Sequence, residues 1–195
     1  MKTYEQKYKP PLLHDTRELF RLTHGSKAIL WLLCFFIFSS FQPDNETDKE
    51  YKLKAVFIYN FTMYVEWDPS AMSQEFVIGI IGSSSIDGPL EEIARAKTCN
   101  GKKIVIRHIS PKGDIPACNI LFIPRDADVS LSIVLPKVPK GTLTISEKNG
   151  YAANGTAINF VIVDNKLKFE ANPKAISSAG LKASSQLLKL AIIVD

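Results

Sequence analysis

Apolar residues in the segment 51–67 recur at intervals of three and four residues, the spacing of one face of an α-helix. The pattern predicts an amphipathic helix that ends at Asp68, because the residue before a proline avoids the helical conformation. Polar residues inside the segment, Lys54 and Thr62 among them, exclude a membrane span. The predicted core-facing stripe comprises Leu53, Val56, Phe57, Asn60, Tyr64 and Trp67, broadened by Phe61 and Met63.

Short apolar runs bounded by turn residues predict four β-strands, at 76–82, 102–109, 119–124 and 141–147. The first run is apolar throughout, as expected for a strand that is buried on both faces. A helix is predicted after it, with Asp87 as its cap. Further along, two alternating runs flank Asp164-Asn165, a turn dipeptide, and therefore predict a β-hairpin.

The chain closes with a segment that predicts one more helix, in which Asn172 is the cap and Pro173 takes the first helical position. The residues expected to face the core from this helix are Ile176, Leu181, Leu187, Leu188 and Leu190. Strands that alternate with helices and then give way to a hairpin and a helix predict one layered α/β domain. Its sheet should be mixed, mostly parallel and flanked by helices.

The N-terminal segment indicates export from the cytoplasm. An unbroken apolar run at 28–38 follows a basic stretch, and it is too short to span a bilayer, which takes about twenty residues. We therefore expect a signal peptide or an uncleaved N-terminal anchor at 1–42, a polar tether at 43–50 and the domain at 51–195. The predicted location is the periplasm.

Charge argues against a nucleic-acid partner. The net charge is +4, and the leader carries most of this excess, so the domain itself is nearly neutral and has no basic run.

Cysteine usage points to a disulfide. Only Cys99 and Cys118 lie beyond the leader, and an even pair in an exported chain favours a bridge, which would stabilise the fold by about 3 kcal/mol. Two separate buried thiols are the alternative. The pair lacks the spacing of a zinc site, so no metal is predicted.

One loop is a candidate anion site. Gly82, Ser83, Ser84 and Ser85 join a buried strand to a helix N-terminus, where free amides can bind an anion, and Arg107 is predicted nearby. The spacing matches no nucleotide-binding motif, so an ordinary turn between strand and helix is the competing interpretation.

Nothing in the sequence indicates catalysis. His108 is the only histidine of the domain and lies in a predicted strand, and no serine stands in a nucleophile elbow. We predict no catalytic residue and no cofactor.

The aromatic residues of the first helix are predicted to be mainly core. Tyr51, Tyr59 and Tyr64 are the ones that would reach the surface and offer a patch to a partner.

Three motifs together resemble the YfiR family of exported bacterial proteins: "YKLKAVFIYNFTMYVEW" at 51–67, "LTISE" at 143–147 and "FEANPKAISSAGLKASSQLLKLA" at 169–191. The resemblance implies a periplasmic, non-enzymatic repressor that binds the periplasmic sensor region of an inner-membrane diguanylate cyclase, and so controls cyclic di-GMP and biofilm growth. It also implies a homodimer, and a Cys99–Cys118 disulfide state that influences folding and activity.

A second function class stays open from the residues alone. The domain would then be a small-ligand sensor that reports to a histidine kinase or a transporter, with its anionic ligand held by residues 82–85 and Arg107.

Overall fold

The computed structural model describes residues 46–68 and 73–195. Their helices and strands follow in chain order: α1 (Glu46–Tyr64), β1 (Val65–Glu66), β2 (Glu75–Ile81), α2 (Asp87–Ala96), β3 (Thr98–Cys99), β4 (Lys102–Ile109), β5 (Ile120–Ile123), α3 (Leu131–Val134) with a 3-10 turn (Leu135–Lys137), β6 (Leu143–Ser146), β7 (Ile158–Val163), β8 (Lys166–Ala171), α4 (Pro173–Ser178), β9 (Lys182–Ala183), α5 (Ser185–Leu190) and β10 (Ile192–Ile193).

Eight of the strands form one sheet in the order β10-β8-β7-β6-β5-β2-β4-β3. Neighbouring strands are parallel except at β7–β8 and β3–β4, which are antiparallel. The predicted fold class, a mixed and mostly parallel sheet flanked by helices, is therefore confirmed.

The sheet separates two hydrophobic cores, because successive side chains of a strand point to opposite faces. From β2, Phe76, Ile78 and Ile80 enter the larger core, together with residues of α1, α2, α4 and α5. Val77 and Ile81 enter the smaller core, which α3 and the neighbouring connections cover. Strands buried on both faces explain the apolar run that the sequence shows here.

The predicted β-hairpin is confirmed. β7 and β8 pair from Val163 and Lys166 outward, and the two turn residues, Asp164 and Asn165, both have positive φ, at 51° and 56°. Asp and Asn tolerate this left-handed conformation better than most residues, which is why the dipeptide marks the turn. The predicted cap is confirmed as well, since the Asn172 side chain accepts a hydrogen bond from the Ala175 amide.

The single C-terminal helix predicted from the sequence is wrong. Two six-residue helices, α4 and α5, take its place. Gly180 between them has a φ of 80°, a left-handed conformation that ends a helix. β9 then pairs with β1, and the Ser184 hydroxyl caps α5 by accepting from the Leu187 amide.

The break changes which leucines reach the core. Leu187 is 2% exposed, whereas Leu190, expected in the core, is 73% exposed. Ile176 and Leu181 are buried as predicted, and Leu188 is half-buried.

The predicted buried face of α1 is wrong in part. Phe61 and Trp67 are buried and Phe57 packs against the larger core, as predicted. Leu53, Val56 and Met63, which were expected to face the core, are 45%, 46% and 60% exposed. Apolar residues occur nearly all around this helix, so a period of 3.6 alone cannot select the buried side. The residues that are buried are Tyr51, Lys54, Ala55, Ile58, Phe61 and Thr62.

The bounds of α1 differ from the prediction at both ends. The helix begins at Glu46, within the segment expected to be a tether, and stops at Tyr64, where β1 pairs with β9 before Trp67 is reached. The leader and Pro69 lie outside the described residues. None of the helices within 46–68 and 73–195 has both the length and the apolar character needed to cross a bilayer.

The two leucines of α5 provide a test of this C-terminal arrangement. Leu187→Ala should lower the free energy of unfolding by about 2–4 kcal/mol, because it leaves a cavity in the core. Leu190→Ala, the matched control, should change it by less than about 0.5 kcal/mol. Urea denaturation of both variants measures the difference, and equal losses would show that the helix is not interrupted as described.

Candidate functional site

A buried ion pair joins α1 to the carboxyl end of the parallel strands. Lys54 projects from α1 onto the sheet and binds Glu147, the residue that follows β6. Both side chains are 1% exposed. Glu50, one turn earlier on α1, lies 2.5 Å from the same ammonium group.

The Glu147 carboxylate has further partners that hold it in place. Its Oε1 atom accepts a hydrogen bond from the Tyr51 hydroxyl at 3.1 Å and another from the Arg125 amide at 3.0 Å. The Lys54 ammonium also lies 4.5 Å from the centroid of the Tyr51 ring, a favourable cation–π distance. We call the group Lys54, Glu147, Tyr51 and Glu50 the clamp.

The clamp satisfies the condition under which proteins tolerate buried charge, namely that each ion is paired and hydrogen-bonded. Tyr51 shows the effect of the surroundings, because burial first, and the neighbouring Glu147 carboxylate second, raise the pKa of its hydroxyl to about 12. The tyrosine therefore stays a neutral hydrogen-bond donor at physiological pH.

Tyr51 does not serve the surface role that was predicted for it, since it is buried in the clamp. Tyr59 and Tyr64 are half-buried against the larger core, and the Tyr59 hydroxyl lies 3.4 Å from the Thr98 carbonyl oxygen. The outward apolar residues of α1 are instead Leu53, Val56 and Met63, which we call the outer stripe.

The structure does not bring together the residues of the predicted anion site. Gly82, Ser83, Ser84 and Ser85 follow the carboxyl end of β2, while the Arg107 guanidinium reaches the opposite end of that strand and pairs with Glu75 at 3.0 Å. That end borders a separate cavity of about 800 Å³, lined by Arg107, Glu75, Trp67 and Lys140 among others.

The loop at 82–85 meets His108 and Asp87 instead of Arg107. His108 Nδ1 lies 3.1 Å from the Gly82 carbonyl oxygen, and its Nε2 lies 3.9 Å from Asp87 Oδ2. Asp87 Oδ2 accepts a hydrogen bond from the Ser84 amide at 3.1 Å. Asp87 is the first residue of α2, and Ile86 occupies the cap position, so the carboxylate closes the loop and does not cap the helix as predicted.

The structure does not bring Cys99 and Cys118 together either; both are free and buried. Cys99 lies in β3 and contributes to the larger core, whereas Cys118 precedes β5 and contributes to the smaller core on the other face. Three strand spacings separate β3 from β5, about 14 Å in all. The Cα atoms of a disulfide lie within about 7 Å of each other, so the predicted bridge is not present in this arrangement.

Burial sets the chemistry of both thiols. It raises the pKa of Cys118 to about 11, against weaker opposing effects of Thr142 and the Gly79 backbone. It also raises the pKa of Cys99, opposed by a hydrogen bond with Thr62. Both cysteines are therefore protonated and poorly reactive at neutral pH.

Sequence reasoning missed Lys54 and Glu147 because each belongs to an ordinary class of residue when considered alone. A signal was present nonetheless. Lys54 lies four residues before Ile58 and seven before Phe61, the helical spacing of the buried side, and Glu147 directly follows the apolar strand β6. A charge in each of two core elements predicts that the two charges meet.

The described residues contain no evident metal centre. Within 46–68 and 73–195 no group of three or more His, Cys, Asp or Glu side chains is placed to hold a metal ion.

Comparison with known families gives one match. The sequence pattern of a family described as YfiR/HmsC-like matches residues 51–192, which is most of the chain. A comparison with curated proteins finds no match. The matched range contains Lys54 and Glu147, and both lie in motifs that carry the resemblance seen in the sequence.

The clamp can be tested by removing its charges singly and together. Lys54→Met should lower the free energy of unfolding by about 3–5 kcal/mol, because it leaves the Glu147 carboxylate buried without its cation. The double variant Lys54→Met/Glu147→Gln should recover more than half of that loss. The side-chain carbonyl oxygen introduced at position 147 is uncharged and still accepts hydrogen bonds from the Tyr51 hydroxyl and the Arg125 backbone amide. Urea denaturation of the wild type and of both variants gives the three free energies of unfolding.

The exposed pair of Arg95 and Glu91, 3.9 Å apart on α2, is the matched control. Arg95→Met should cost less than about 0.5 kcal/mol. A double variant at the clamp that is less stable than Lys54→Met alone would contradict this account.

The state of the thiols can be read by mass spectrometry without reductant. In the folded protein, Cys99 and Cys118 should resist iodoacetamide at neutral pH, because both are buried and their pKa values are raised. After unfolding in guanidinium, again without reductant, both should be alkylated in full. A peptide that links Cys99 to Cys118 before reduction would instead establish the bridge predicted from the sequence.

Proposed function

This chain belongs to the YfiR/HmsC-like family, and we propose that it represses an inner-membrane diguanylate cyclase by binding the periplasmic sensor region of that enzyme. Members of the family are periplasmic, non-catalytic regulators of diguanylate cyclase signalling. The repressor itself is proposed to act in the periplasm and to have no enzymatic activity of its own.

The outer stripe of α1 is the observation that supports a protein partner. Leu53, Val56 and Met63 are each about half exposed or more, and they lie at helical spacing on the side of α1 that faces away from the sheet. A helix face of this kind binds an apolar groove or another helix through residues three and four apart. We assign it to the sensor region of the cyclase.

The clamp suits α1 to this role. A helix whose opposite face is fixed by Lys54, Ile58 and Phe61 offers its outer residues in one orientation, so little conformational entropy is lost when the partner binds. The clamp would therefore contribute to binding indirectly, by holding the stripe in place.

A homodimer is part of the proposal because the resemblance implies one. A second copy of the chain is the other candidate occupant of the outer stripe, and the experiment below distinguishes the two by measuring mass as well as partner binding.

We do not include redox control in the proposal. It required a Cys99–Cys118 bridge, and the two thiols lie on opposite faces of the sheet. The alternative function, a sensor that binds a small anion at residues 82–85 and Arg107, is not proposed either. Its residues are apart, because the Arg107 side chain pairs with Glu75 at the opposite end of β2. No observation favours a histidine kinase over a cyclase as the partner.

The proposal predicts that a charge in the outer stripe abolishes repression. Val56→Asp in the full chain should weaken binding to the cyclase by about tenfold or more, because a desolvated carboxylate replaces an apolar contact. Co-purification from native membranes, with mass spectrometric identification of any diguanylate cyclase, measures binding, and cellular cyclic di-GMP should rise with the variant.

Ile133→Asp is the matched control, because Ile133 is similarly exposed but lies in α3 on the other face of the sheet. It should behave as the wild type does. Recovery of no cyclase by the wild-type chain would refute the proposed partner. The molar mass of the wild type and the variant in solution, from light scattering, reports the dimer. Loss of a dimer in Val56→Asp with repression intact would assign the stripe to self-association.

A further inference from the structure

A cavity of about 400 Å³ lies beside the clamp, between the first half of α1 and the hairpin of β7 and β8. Its charged lining residues are Glu50, Lys54, Arg125, Glu147 and Lys148, and Asn149 adds an amide. We call it the clamp cavity. Its volume is within the range of cavities that bind small molecules in proteins, roughly 300–1,000 Å³.

One wall of the clamp cavity is apolar. Phe160 and Ile162 from β7 and Leu167 from β8 line it. Ile162 is exposed and Leu167 is half-buried, so part of this wall is in contact with water when the cavity is empty. A ligand with an apolar group would remove that surface from water, which is favourable.

The opposite wall carries more positive than negative side chains. Lys54, Arg125 and Lys148 are cationic, and only Glu50 and Glu147 are anionic. Lys54 and Glu147 neutralise each other at the base, with both side chains fully buried. Glu50 is shared, since it lies 2.5 Å from Lys54 and 3.8 Å from the Arg125 guanidinium.

Among the described residues that line the cavity, cations therefore outnumber carboxylates by one. The Lys148 ammonium lies 5.6 Å from the centroid of the Tyr151 ring. The Arg125 side chain is 55% exposed, and its backbone amide is fixed by the hydrogen bond to Glu147. Two cations at the mouth of an otherwise neutralised, half-apolar cavity can bind an anionic group.

We propose that the clamp cavity binds a small amphipathic molecule with one negative charge, a carboxylate attached to an apolar group. The carboxylate binds Arg125 and Lys148, and the apolar group packs on Ile162, Leu167 and Phe160. The site goes beyond the proposed repression, since it requires no cyclase and uses the opposite side of α1 from the outer stripe.

The position of the cavity links such a ligand to α1. Glu50 and Lys54 both belong to this helix, and a ligand carboxylate that binds Arg125 competes with Glu50 for that guanidinium. Binding to the folded state alone raises the denaturation midpoint, and the ligand should protect the first half of α1 from hydrogen exchange.

The test uses 3-phenylpropionate as the probe and its uncharged amide, 3-phenylpropanamide, as the control for charge. Isothermal titration calorimetry with the full chain gives affinity and stoichiometry, and NMR shift changes locate the site. We expect one saturable site for the acid, with the largest shifts at Ile162 and Leu167, and at least about tenfold weaker binding of the amide.

Charge variants of the chain separate this site from general affinity for anions. Lys148→Gln and Arg125→Gln should each weaken the binding of 3-phenylpropionate by about tenfold, because each removes a charge-assisted hydrogen bond to the carboxylate. Lys168→Gln is the matched control: it removes the same charge from an exposed position of β8 that does not line the cavity. Ile162→Asp, at another exposed position, should abolish binding by placing a like charge beside the carboxylate.

Three results would overturn the proposal. They are the absence of saturable binding of the acid below about 1 mM, equal affinity for the acid and the amide, and equal affinity of Lys148→Gln and Lys168→Gln for the acid. Unchanged circular dichroism spectra of the variants show that a loss of binding is not a loss of fold. Failure of this site leaves the cyclase experiment unaffected, because that experiment tests the outer stripe and uses no residue of the clamp cavity.

Discussion

The ion pair of Lys54 and Glu147 fixes the rotation of α1 on the sheet. A buried charge without its partner costs several kcal/mol, so an orientation that separates these two residues is excluded even where apolar side chains would pack. Hydrophobic burial alone gives no such discrimination here, because α1 has apolar residues on most of its circumference. Electrostatics thus selects among orientations that the hydrophobic effect leaves nearly equal.

Both candidate binding surfaces follow from that rotation. With Lys54 directed to the carboxyl end of β6, Leu53, Val56 and Met63 face away from the sheet, and Glu50 lines the clamp cavity next to Arg125. The proposed partner surface and the proposed ligand site thus lie on opposite sides of one helix. A change that loosens the clamp would affect both, which gives the two sites a physical connection through α1.

The parallel sheet is the second constraint, and it decides what the cysteines and the loops can do. Side chains alternate between the two faces, so Cys99, within β3, and Cys118, just before β5, enter different cores although both strands belong to the same sheet. The two ends of β2 also have different neighbours. Residues 82–85, at its carboxyl end, contact His108 of β4. Arg107, which precedes His108 in β4, pairs instead with Glu75 at the amino end of β2.

The sequence by itself determined the local elements: the strands from their apolar runs, the hairpin from Asp164-Asn165, and the cap from Asn172. These features depend on neighbours within a few residues, and the class of fold follows from their order. Three motifs also indicated the family. Only the tertiary structure decided the buried face of α1, the break at Gly180, the separation of the thiols and the meeting of Lys54 with Glu147, which are 93 residues apart in the chain. Each of these depends on contacts between distant segments, and a local pattern contains no information about which distant charge or strand will be adjacent.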